Sequence, residues 1–294
     1  MTLAMPLDRH DYGAIADAER RRRTGNWVVV AVAALVSLVW LTPLYYLLIS
    51  VFKSSAEYGS GNPLALPQGL SPFVDNAIRV WTDAKLGAGL ANSALYGFIG
   101  ASVAVFVAAM AAFGLTRLDF RGRTFWFMLI FSGTVFPFQM YLIPLFFSYQ
   151  KLGILNTRFG MILFYCAICV PFPVLVLRNF MAGLNREMDE AARMDGASDW
   201  RVFFSIVLPN CKGPMLALFL LQFTWIWNDL LFSTVLGNTP EIRSVMNALQ
   251  VFQGAYASSG PNIALTGALM ASVPTVLLFL LLRRHFMAGL SVST

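Results

Sequence analysis

Charge is what this chain lacks most. Asp, Glu, Lys and Arg make up only 12% of the residues, about half the roughly 25% share of a soluble domain. With 57% hydrophobic residues and a mean hydropathy of +0.65, that shortage argues against a soluble globular enzyme, a disordered chain or a DNA-binding protein with a basic face. Histidine is nearly absent. His10 and His285 lie near opposite ends of the chain and outside every apolar run, so an intramembrane Ser–His hydrolase or a His-ligated metal enzyme has no suitable base. Cysteine is scarce too. Cys166 and Cys169 stand three apart on an apolar segment, Cys211 stands alone, and no further ligands lie near, so all three read as small buried apolar side chains. There is no Gly-Lys pair anywhere, hence no phosphate-binding loop of the G-x-x-x-x-G-K-[ST] kind with which to hold ATP.

What is present is a set of long uncharged runs. Residues 24–52, 86–116, 124–150, 159–177 and 244–282 contain no charged residue, and 213–236 is interrupted only by Asp229. Each can supply the ~20 mostly apolar residues that a helix needs to cross the hydrocarbon core. The runs are continuous rather than alternating, which excludes a barrel. The expected fold is an all-α membrane protein with six transmembrane helices near 27–51, 91–115, 125–148, 159–180, 213–236 and 263–283. Residues 1–26 form a cytoplasmic N-terminal segment, 27–284 the membrane domain and 285–294 a cytoplasmic tail. With the N-terminus inside, 15 of the 21 Lys and Arg residues fall in inner segments and 6 in outer ones. This follows the positive-inside rule and explains the net charge of +6 without a nucleic-acid partner. Asp8, Asp11, Asp17 and Glu19 precede the Arg run at Arg20–Arg23, and the first apolar stretch is longer than a signal sequence's core. It is therefore expected to stay as the first span.

The segment between the fourth and fifth spans, residues 185–209, is strongly charged up to Arg201 and then apolar. Asn185 can cap a short first helix. Met188, Ala191 and Ala192 share a face, and Arg186/Glu190 and Asp189/Arg193 have the i,i+4 spacing of supporting ion pairs. Gly196 permits a sharp turn and Ser198 can cap a second helix. That helix carries Trp200, Phe203, Phe204 and Val207 as an apolar stripe, and Pro209 is expected to stop it. The expectation is a cytoplasmic helix–turn–helix elbow whose tip of small residues suits a cleft on another protein better than a lipid surface. Elsewhere, Gln139 and Tyr141 beside Pro137 and Pro144 mark an interrupted third span lining a path. Residues 77–86 of the long outer loop 52–90 read as a short surface helix.

Glu190-Ala191-Ala192, Asp195-Gly196-Ala197 and Ile206-Val207-Leu208-Pro209 together resemble the EAA signature of permeases of binding-protein-dependent ATP-binding-cassette importers. Asn92-Ser93, Arg117 to Arg123, Pro144-Leu145, Leu152 to Thr157 and Trp227 to Leu230 are similar to landmarks of the carbohydrate class, the maltose- and glycerol-phosphate-type permeases. Relatives usually carry Pro where Asn185 stands, and often end in a Gly-Ala-x-Lys-Gly tail that this chain does not have. The resemblance implies a non-catalytic subunit of the bacterial cytoplasmic membrane that moves a carbohydrate by alternating access. Its implied partners are a homologous second permease, two copies of an ATPase that bind ATP and Mg, an extracytoplasmic solute-binding protein and membrane lipid. No cofactor of its own is implied. Glu190, Ala191, Ala192, Asp195 and Gly196 become the ATPase-coupling residues. Asn92, Gln139, Tyr141, Asn228 and Asp229 become candidates for the path. For Asn228 and Asp229, cavity lining and interhelical hydrogen bonding with the partner permease stay open equally. Asp229, the one charge within a span, also keeps an ion-coupled carrier in play, whereas a membrane-embedded enzyme lacks a base.

Overall fold

A computed structural model describes residues 9–62, 64–253 and 260–290, of which 9–26, Ser60 and 284–290 are described as backbone only. The expectations for residues 1–8 and for the tail 291–294 lie outside the described residues. The order is α1 (Arg9–Ser50), α2 (Ser55–Ser60), α3 (Pro72–Asp83), α4 (Leu86–Arg117), α5 (Arg123–Val135), a 3₁₀ turn (Phe138–Tyr141) and α6 (Leu142–Leu152). There follow α7 (Arg158–Ile168), α8 (Pro171–Ala182), α9 (Glu187–Met194), α10 (Asp199–Val202), a π turn (Phe203–Val207), α11 (Leu208–Asn210) and α12 (Lys212–Trp227). The chain closes with α13 (Leu231–Leu236), α14 (Val245–Leu249), the 3₁₀ turn Gln250–Phe252 and α15 (Pro261–Leu290). No strand occurs among the described residues.

Four stretches are long and apolar enough to cross a membrane: Trp27–Ser50, Leu86–Arg117, Arg158–Ala182 and Pro261–Arg283. Two more pass only as bent pairs. Arg123–Val135 and Phe138–Leu152 meet at 98°, and Asp199–Asn210 and Lys212–Trp227 meet at 74°. Among the described residues there are thus four continuous candidate spans, and up to six if each bent pair crosses as one. The third breaks at Phe136-Pro137, as expected from a proline that can neither donate nor continue the helix. The fifth is shorter than expected. α12 ends at Trp227, and α13 resumes only at Leu231. The surface helix expected at 77–86 is α3, and it begins earlier because Pro72 fits the first helical turn.

α4 is the spine. Gly89, Ser93, Gly97, Gly100, Ala101, Ala104, Ala108 and Ala112 are all buried, in the small-residue spacing that lets membrane helices approach backbone to backbone. A Cβ at Gly97 would sit 2.7 Å from the Phe223 ring of α12, and one at Gly100 would sit 2.9 Å from Ile226 and from Tyr165 of α7. Two apolar clusters result. One surrounds Tyr96, Tyr165, Phe223 and Trp227, the other Phe113, Leu177, Met181 and Phe203. By contrast α1 buries none of its apolar window within the chain, and Trp40 is 78% exposed. A helix so bare requires lipid or another subunit around it.

Candidate functional site

Breaks inside spans leave backbone groups that lipid cannot satisfy, and here side chains take up the deficit. The carbonyl of Cys169 would normally accept from residue 173, which is Pro173 and has no N–H. Gln222 Nε2 of α12 donates to it instead at 3.1 Å. After α12 ends, Asp229 organises the next segment. Its Oδ1 accepts from the Phe232 N–H at 3.3 Å and its Oδ2 from the Ser233 N–H at 3.1 Å, which caps α13 with a negative charge. Tyr165 Oη of α7 donates to the same Oδ2 at 2.7 Å, and Ser244 Oγ donates to the Asp229 carbonyl at 3.2 Å. Asp229 is thus a buried bracket within the chain.

Beside this break lies a cavity of about 860 Å³. Gln139 enters it from the break in the third span, Thr224, Asn228 and Asp229 from the fifth, and Thr275 from α15, among Trp225, Phe232 and Phe279. Gln139 and Asn228 are exposed. Asn228 Nδ2 donates back to the Thr224 carbonyl at 2.8 Å, and the residue borders the hollow. Gln139, Asn228 and Asp229 are therefore brought together. Tyr141 is separate, lining a neighbouring hollow of about 420 Å³ with Pro144 and Phe164. Asn92 belongs to neither hollow. It is buried, donates to the carbonyls of Glu241 and Arg243 at 2.9 and 3.2 Å, and accepts from Arg158 Nε at 3.3 Å. With Tyr96, whose hydroxyl donates to Ile242 O at 2.7 Å, it pins the loop around Glu241–Arg243 to the ends of α4 and α7. The structure thus places Asn92 away from both hollows, its side chain engaged by loop carbonyls and Arg158.

At the opposite end of α4 sits the elbow. The Asn185 side chain accepts from the Glu187 N–H at 3.0 Å and starts α9. α9 closes on Gly196, whose φ is +80°. The Gly196 N–H bonds Arg193 O at 3.0 Å, and the Ala197 N–H bonds Ala192 O at 2.9 Å, the paired closure of a Schellman end. Ala192 and Ala197 rest on the Phe203 cluster. Ser198 then caps α10 through the Arg201 N–H. Glu190, Ala191, Asp195 and Gly196 are exposed, as are Met194 at 89% and Trp200 at 64%.

Two details differ from expectation. Pro209 does not stop the second elbow helix. A π turn over Phe203–Val207 precedes it, and the chain runs on to Asn210, because the widened turn accommodates a residue with no N–H. The expected i,i+4 pairs do not form either. Asp189 pairs with Arg117 at 2.6 Å and Arg193 with Asp199 at 2.8 Å, while Arg186 Nη2 donates to Thr116 O at 3.1 Å. The elbow's charges are tied to α4 and α10 rather than along α9. Sequence spacing could not show this, although an Arg closing a long apolar run was the available signal.

Long apolar helices, broken segments around a cavity and a capped, charged elbow at one end of the helical spine are the features of a multi-pass membrane protein. The chain belongs to the family described as binding-protein-dependent transport system inner membrane component, whose profile matches residues 13–288. It is 34% identical over 271 residues to the diacetylchitobiose uptake system permease protein NgcG of Streptomyces coelicolor, covering 90% of this chain and 87% of that one. It is 29% identical over 269 residues to the arabinooligosaccharides transport system permease protein AraQ of Halalkalibacterium halodurans, covering 91% and 95%. The fold is shared with a solved bacterial ABC transporter involved in import of the acidic polysaccharide alginate, with TM-score 0.77, 22% identity and coverage of 96% and 100%. An ion-coupled carrier finds no support in this family.

Proposed function

We propose that this chain is one of two membrane subunits of an ATP-driven importer, carrying a sugar or sugar oligomer across the cytoplasmic membrane by alternating access. The observation that carries this reading is the elbow. A rigid, self-capped turn presents Glu190, Ala191, Asp195 and Gly196 outward, and it does so in a chain of the binding-protein-dependent family. A separate ATPase, holding ATP and Mg, seats each elbow. Glu190 offers it a carboxylate for an Arg or Lys, and Gly196 supplies the turn. A second permease with its own elbow closes the exposed side of the cavity, where Gln139 and Asn228 offer amide groups to hydroxyls and Trp225 offers an apolar face. A solute-binding protein delivers the sugar on the side of the pinned loop near Glu241. That reading places the elbow and both termini in the cytoplasm. The named uptake substrates of the relatives support the sugar class.

The test is ATP turnover. The purified chain should neither bind nor hydrolyse ATP, while the assembled complex should hydrolyse it faster when loaded binding protein is added. Turnover by this chain alone, or a complex indifferent to the binding protein, would overturn the reading.

A further inference from the structure

Arg117 and Asp189 form a buried ion pair far from the cavity. Arg117 Nε lies 2.6 Å from Asp189 Oδ2, and the two side chains are only 3% and 7% exposed. Arg117 Nη2 also donates to Leu184 O at 3.1 Å, where α8 leads into the elbow. From the elbow side, Arg186 Nη2 donates at 3.1 Å to Thr116 O, one of the unpaired carbonyls at the end of α4. Three charge-assisted contacts thus converge on two consecutive residues of one helix end, in both directions. An apolar contact already exists there through Phe113 and Phe203, whose ring centroids are 5.2 Å apart. Apolar contacts permit sliding, whereas the directional hydrogen bonds of Arg117 and Arg186 to backbone carbonyls, beside a close buried ion contact, resist it. Burying charge is also a costly way merely to fill space, since apolar residues of similar volume often serve as well or better.

We propose that Arg117 and Asp189 are positioning residues that lock the elbow to the inner end of α4, so that elbow and α4 move as one body. The displacement then reaches α12 through the close approaches of Gly97 to Phe223 and Gly100 to Ile226. α12 ends at Trp227, immediately before Asn228 and Asp229 on the cavity wall, so motion at the elbow is delivered to the hollow by a rigid strut. This rests on the elbow being the ATPase seat, as proposed above.

The test uses the whole importer, in a background with Cys166, Cys169 and Cys211 replaced by Ala. Spin labels are placed at Asp119→Cys, just beyond α4, and Glu187→Cys, at the start of α9. The parent should show one narrow interlabel distance, unchanged between nucleotide-free and ATP-bound states. Asp189→Asn should broaden it and make it nucleotide-dependent. The same variant should lower sugar transported per ATP hydrolysed about tenfold, through loss of the buried ion pair. Asp189→Glu should recover both readouts in large part. A narrow, unchanged distance with a normal transport-to-hydrolysis ratio in Asp189→Asn would overturn the proposal. So would failure of both Asp189 variants to assemble, which would assign the pair to folding. Loss of ATP-dependent uptake in the parent would instead strike the functional reading, while the distance would still report the lock.

Discussion

Gly196→Val is expected to reduce sugar uptake by about tenfold or more while the membrane domain still assembles. The glycine holds φ at +80°, where an L side chain costs roughly 1–2 kcal/mol and a β-branched one more. Each 1.4 kcal/mol is about a factor of ten. No atom lies within 4 Å of a Cβ built at Gly196, so the penalty is conformational and not a clash. Relieving it would unwind the Schellman end and re-aim Glu190 and Asp195. Gly196→Asn is the control, because Asn tolerates the left-handed region and should retain most uptake. Uptake and ATPase co-purification, measured together on the affinity-purified complex, separate the outcomes. Normal uptake in the Val variant would make the elbow a passive surface loop. Equal loss in Val and Asn variants would mean that the position is a contact surface without room for any side chain.

Asp229→Leu is expected to have the other large effect, this time on stability. It strips the acceptor from three buried donors, the Tyr165 hydroxyl and the N–H groups of Phe232 and Ser233. Each unsatisfied group costs roughly 1–3 kcal/mol, against a total stability of about 5–15 kcal/mol. The permease should fail to accumulate, or should melt early in detergent. Asp229→Asn keeps one carbonyl oxygen but turns an NH2 toward the remaining donor, so it should melt between the parent and Asp229→Leu and keep uptake once folded. A proton-relay residue would behave in the opposite way, with Asn folding normally and transporting nothing. Melting curves and uptake for the two variants distinguish a bracket from a relay.

Much of this was legible in the sequence because the bilayer enforces simple rules. Uncharged runs of sufficient length had to become helices, and Pro137 had to break one of them. Gly196 announced a turn, and the Asn185 and Ser198 side chains found the backbone N–H groups their chemistry suits. Less legible was anything set by a partner distant along the chain. Asn92 reads from the sequence as a path candidate, and nothing local shows that its side chain binds the carbonyls of Glu241 and Arg243. Asp189 was matched to Arg193 by spacing, yet Arg117 from another helix reaches it. A 74° bend at Cys211 and a π turn before Pro209 likewise depend on how α12 packs beside α4, which no local pattern records. Gln139 is visible in the sequence beside a proline break and Asn228 as a polar residue in a span, but only the fold shows that they border the same hollow.

The most direct test is uptake into vesicles reconstituted with the complete importer, with ATP, the ATPase and loaded binding protein supplied in turn. Sugar should accumulate only when all three are present, and an ionophore that collapses ion gradients should leave the rate unchanged. Accumulation driven by an ion gradient in vesicles holding this chain without the ATPase would contradict the assignment outright.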